Sequence, residues 1–187
     1  MANTDISICS NALLRLGDAP ISSFNESNDR SRLARNTYLS MRDAVLARHP
    51  WNCATRRVVL SPDATAPAFD WEARFLLPAD CLRILSVGER GEGDDYEVED
   101  GYILMDGDTC RLRYVYRAPE AKWDPLLVES MTEAMRRVFA YPLTGGQNME
   151  ATIFQIADEI VRAARAVDGQ ENPPEMLGNE GMFSAGF

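Results

Sequence analysis

Hydrophobic positions along the chain change period twice. Thr4 and Asp5 supply a cap and a first-turn acid, and Ile6, Cys9, Leu13 and Leu16 then recur at helical spacing until Gly17. After an irregular stretch over 18–28, a second helix is predicted over 29–48. Its stripe is Leu33, Thr37, Met41 and Ala44/Val45, its arginines lie mostly outside that stripe, and Pro50 ends it. From Trp51 the period becomes two. Short strands are predicted over 54–60, 71–77 and 81–87, with a proline-marked loop at 61–68 and a charged glycine loop at 89–95. Residues 96–98 and 102–105 flank Glu99-Asp100-Gly101, a hairpin signal. Leu112, Tyr114 and Tyr116 alternate with Arg111, Arg113, Val115 and Arg117, giving a strand with one apolar and one largely basic face.

The helical period then returns. Asp124-Pro125 is a cap followed by proline at the first helical position. Leu127/Val128, Met131, Met135 and Val138/Phe139 form a stripe that Pro142 and Gly145-Gly146 should stop. A fourth helix is predicted from Asn148 to Gly169 on Ile153, Ile156/Ala157, Ile160, Ala163/Ala164 and Val167. The tail, 170–187, has no period but carries Met176, Leu177, Met182, Phe183 and Phe187, the isolated hydrophobes of a docking peptide. The expected fold is α+β and mostly helical. Two helical hairpins (1–50 and 118–169) form an antiparallel four-helix bundle, with a small β-rich insertion (51–117) between them and an extended C-terminal tail (170–187).

Charge narrows the function. The 187 residues carry 29 acidic against 19 basic side chains, a net −10. Such a chain repels phosphate backbones unless its basic residues are gathered on one face, which disfavours a nucleic-acid reader but not a conduit through which DNA slides. No apolar run approaches the roughly 18 residues of a membrane span, and residues 1–10 lack the pattern of a signal peptide. Cys9, Cys53, Cys81 and Cys110 form no CxxC pair and read as small buried hydrophobes, although spacing leaves a disulfide open. His49, the single histidine, sits before Pro50 where a helix ends, so a multi-histidine metal site cannot be built. Phosphate-loop, dinucleotide, nucleophile-elbow and zinc-protease motifs are missing. The GERGEG run at 88–93 places acidic residues where a phosphate would sit. No cofactor, metal or catalytic residue is expected.

Five stretches, in order, are similar to a known family. They are NALLRLGDAPISSF (11–24), YLSMRDAVLARHPWNCATRR (38–57), FLLPADCLR (75–83), YEVEDGYILMD (96–106) with LRYVYR (112–117), and WDPLLVESMTEAMRRVFAYPLTG (123–145). Together they resemble the tail tubular protein A and tail accessory factor group of tailed phages, the head-to-tail adaptors below the portal. Met131 and Met135 depart from the family's usual small or leucine positions, and the tail matches no family motif. The resemblance implies a non-enzymatic virion protein of the neck, made in the host bacterial cytoplasm. It would form a ring of twelve copies that contacts the portal and a tail tube, nozzle or stopper, with DNA passing through the lumen.

A ring needs complementary surfaces on one protomer, so segregated charge is the expected pattern. The candidate partner-binding residues are Arg111, Arg113 and Arg117 on the basic strand face and Met176, Leu177, Met182, Phe183 and Phe187 in the tail. Two other readings stay open. One is a tail-associated peptidoglycan hydrolase with an acidic pair drawn from Asp94, Asp95, Glu97, Glu99 and Asp100. The other is a soluble interaction module that forms no ring.

Overall fold

The computed structural model describes residues 4–90 and 92–144, together with helical positions 159, 161–163, 166 and 167. Its elements in chain order are α1 (Asp5–Leu14), α2 (Asp29–Arg48), β1 (Thr55–Leu60), β2 (Ala73–Leu76), β3 (Cys81–Glu89), β4 (Glu92–Gly93), β5 (Glu97–Glu99), β6 (Tyr102–Met105), β7 (Cys110–Tyr116) and α3 (Pro125–Thr144).

Each helix start is capped by the chemistry of its own sequence. The Thr4 hydroxyl accepts from Ser7 N at 3.1 Å while Ser7 Oγ accepts from Thr4 N at 2.9 Å, a reciprocal box that satisfies two otherwise orphaned donors. Asn28 Oδ1 accepts from Ser31 N at 2.8 Å to open α2, and Asp124 Oδ1 accepts from Leu127 N at 2.8 Å to open α3. Gly17, at φ +78°, closes α1: its N–H reaches Leu14 O, and Asp18 N reaches Leu13 O at 3.1 Å. Two stripes are rotated from expectation. In α1 the buried set is Ile8, Cys9, Ala12 and Leu13. In α2 it is Ser31, Ala34, Tyr38, Val45 and Leu46, because Tyr38 turns inward and its hydroxyl donates to Glu120 at 3.1 Å. α3 also runs past Pro142 to Thr144. Pro142 removes one intrahelical N–H, yet the helix continues through it to the end of this described stretch.

All strand pairs are antiparallel and form two sheets, one in the order β1-β7-β3-β4 and one in the order β2-β6-β5. The β5–β6 hairpin turns on Asp100 (φ +47°) and Gly101 (φ +79°), the left-handed pair that a two-residue loop between twisted strands requires. A Cβ at Gly101 would meet no atom within 4 Å, so only backbone strain opposes a side chain there. Gly101→Ala is therefore expected to cost about 1 kcal/mol, read as a lowered urea midpoint at an unchanged slope. An unshifted midpoint would contradict the turn.

The expected four-helix bundle with an inserted sheet is not what forms. The fold is α+β with two small antiparallel sheets built into the core. α3 packs against both α1 and α2, which meet each other less. Leu127, Met131, Met135 and Phe139 of α3 share one continuous cluster with Leu112, Tyr114 and Tyr116 of β7, Val87 of β3, and Phe75 and Ile103 of the second sheet. The physical reason is that β7 carries an apolar row of large side chains. Helices that packed only on one another would leave that row in water, whereas the sheet wall buries it. The predicted helix over 148–169 falls largely outside the described residues.

Candidate functional site

Antiparallel register assembles the basic face from three strands. Arg57 of β1 stands opposite Arg113 of β7, and Arg113 stands opposite Ser86 of β3. One residue pair further along this face, Val59 is opposite Arg111. α2 reaches the same side of the sheet at its other end, where Arg83 Nη1 donates to Ala47 O at 2.9 Å and Arg117 grips Asp43 with two nitrogens at 2.8–3.1 Å. The remainder is an open groove of about 760 Å³ lined by Arg57, Val59, Leu85, Ser86, Arg111 and Arg113, with Glu89, Arg90 and Gly93 at its rim.

The charges of Arg57 and Arg113 in this groove are not neutralised locally. Like charges directly opposite each other on neighbouring strands destabilise a sheet. Among the described residues neither Arg57 nor Arg113 has a carboxylate partner. Arg113 is half-buried, and its Nε is sealed from solvent with no hydrogen-bond acceptor. Arg111 meets Glu89 at 3.5 Å, largely in solvent.

Other arginines contrast with these. Arg56 pairs with Asp80 at 2.8 Å and lies 3.8 Å over the Tyr116 ring, and Arg74 pairs with Asp63 at 2.9 Å and lies over Tyr102. On α2, Arg30, Arg32 and Arg42 are engaged by Asp18, Asp29 and Asp43.

The structure thus separates the three strand arginines named from sequence. Arg111 and Arg113 share the groove. Arg117 serves the α2–β7 junction, where its pairing and that of Arg42 offset the burial that would raise Asp43 and hold its carboxyl below the ordinary value. Met176, Leu177, Met182, Phe183 and Phe187 lie outside the described residues. Sequence reading missed Arg57, because TRRVVL has no clean alternation and only the register with β7 shows which of its two arginines faces the groove.

A second charged surface has the opposite sign. Asp94, Asp95, Glu97, Glu99 and Asp100 are all exposed along the loop into β5 and its turn, and β5 is an outer strand of its sheet. Among these carboxylates Glu97 receives a hydrogen bond, from Trp71 Nε1 at 3.2 Å. They lie along an exposed ribbon, not inside a cleft that would hold a sugar between two carboxyls.

Elsewhere the chemistry-bearing residues are occupied structurally. His49 stands edge-on to Trp51 with ring centres 4.8 Å apart. The four thiols are unbridged, and burial pushes the Cys9 thiol up to about 12 and Cys110 to about 11, with Asp94 adding to the latter. Among the described residues no cluster of His, Cys, Asp or Glu is placed to hold a metal ion, and no helix is long and apolar enough to cross a membrane. Neither family models nor curated proteins give a match to this chain.

Proposed function

We propose that the chain is a structural adaptor that acts by adhesion, one subunit of a ring joining a phage portal to the tail tube, nozzle or stopper below it. The observation that supports this reading best is the opposed Arg57–Arg113 pair, left without a carboxylate on the open face of a chain whose net charge is −10. A folded protein gains nothing for its own stability from such an arrangement, so the natural use of the face is contact with another molecule. The exposed acidic ribbon gives the same chain a surface of opposite sign, as head-to-tail association demands. The five stretches over 11–145 that resemble head-to-tail adaptors point the same way. DNA crossing the lumen would be repelled overall by the acidic chain and would slide without being held.

The test is electron microscopy of the purified chain, alone and mixed with portal rings. Ring-shaped density stacked on the portal is the expected result. A chain that stays monomeric alone and leaves the portal bare at every concentration removes the reading.

A further inference from the structure

The groove belongs to the first sheet and β5 to the second; residues 94 and 95 lead from β4 into β5, with Asp94 N donating to Val87 O at 3.2 Å, and none of the ribbon's carboxylates pairs with Arg57, Arg111 or Arg113 of the same chain. We propose that the groove is the receptor for the acidic ribbon (residues 94–100) of a second copy, with one ribbon carboxylate seated between Arg57 and Arg113. This rests on the reading of the chain as self-associating.

Three features of the two surfaces fit each other. The first is charge. Arg57 and Arg113 stand opposite each other across β1 and β7, and a carboxylate seated between their side chains would turn repulsion into two charge-assisted contacts.

The second is the alternation of the ribbon. Tyr96 and Val98 are exposed apolar residues interleaved with Glu97 and Glu99. The groove offers the converse, an apolar floor that includes Val59, itself 64% exposed, beside the three arginines. A segment alternating apolar and acidic side chains can place one set on the floor and the other against the guanidiniums.

The third is the mutual exclusion of like surfaces. Groove on groove and ribbon on ribbon are both repelled by their charges, and only the unlike contact is permitted. A contact between two different patches is heterologous, and propagates around a ring instead of closing as a twofold dimer.

The experiment uses the full chain and a fluorescent peptide of residues 92–101 (EGDDYEVEDG), followed by anisotropy. The peptide is expected to bind, to weaken as salt is raised, and to lose about tenfold or more in affinity against Arg57→Glu. Arg57 is exposed, so that variant should keep its fold, which far-UV circular dichroism checks; Arg113→Gln is the second variant. A peptide carrying Lys at 95 and 97 should bind Arg57→Glu better than it binds the parent chain. Equal binding by a peptide with every Asp and Glu changed to its amide overturns the proposal, as does indifference to both arginine variants. Equal affinity for a poly-glutamate of the same length, or tighter binding of a short duplex DNA, shows another occupant and also overturns it. Failure of these arms with portal-bound rings still forming leaves the adaptor reading standing. Peptide binding with a bare portal leaves the groove assignment and removes the adaptor.

Discussion

Trp51→Ala is expected to destabilise the chain by about 3–5 kcal/mol, enough to remove a large part of the stability of an ordinary domain. Trp51 is the largest side chain that is almost wholly buried, 1% exposed, and it follows directly on the His49-Pro50 end of α2. Its indole Nε1 donates to Val45 O at 3.2 Å, so the ring also satisfies one of the last carbonyls of the helix it leaves. Two costs combine on truncation: a cavity in the cluster shared by helices and sheets, and a buried carbonyl stripped of its donor. Trp51→Phe separates them. It retains most of the apolar volume and should cost less, with the lost hydrogen bond and residual void accounting for what remains. Urea unfolding followed by far-UV circular dichroism measures both. If the alanine variant matched the parent, Trp51 could not be the joint between α2 and the first sheet.

Arg15→Met is expected to cost about 2–3 kcal/mol at neutral pH and to flatten the acid limb of the stability profile. Arg15, one residue beyond α1, meets both Glu129, at 2.6 Å, and Glu133 on α3. Glu133 is 1% exposed and, among the described residues, would keep Arg136, at 3.2 Å, as its ion-pair partner. Removing one member of a buried ion network leaves a charge uncompensated, though here the loss is moderated because Arg15 itself is 37% exposed.

The pH dependence follows from Glu129. Its hydrogen bond from Arg15 outweighs burial and holds its carboxyl below the ordinary 4.5. A carboxyl depressed on folding contributes stability that is fully present above about pH 4.5 and is lost as the pH falls through the lower folded value. The parent should therefore lose stability on acidification below pH 4.5 more steeply than Arg15→Met. Parallel profiles would mean that the α1–α3 contact is held by apolar packing alone.

Local signals in the sequence survive folding where the interaction that produces them is itself local. Thr4, Asn28 and Asp124 cap the helices because a cap needs only the next three residues, and the Asp100-Gly101 turn needs only two left-handed positions. The bundle expectation failed at a question of partnership. The apolar stripe of α3 and the apolar row of β7 are each legible from spacing, but nothing in spacing says that they join one core. The candidate site shows the same division. Alternation along β7 places Arg111 and Arg113 on one face. It also places Arg117 there, and only the contact with Asp43 from a distant helix shows that this arginine is committed elsewhere. Arg57 joins the groove through strand register alone. Side chains brought together from 50 or more residues apart leave no mark in a window of ten.

α3 is the partner on which α1 rests, and that has a consequence for how the molecule is made. The contacts of Arg15 with Glu129 and Glu133 bridge 114 and 118 positions of chain. An N-terminal segment emerging from the ribosome thus lacks its larger docking surface until nearly the whole described chain has been synthesised. Its apolar side must wait, exposed, while the intervening strands are translated. Nascent chains cut short before α3 should therefore depend on chaperones in a way that the finished polypeptide does not.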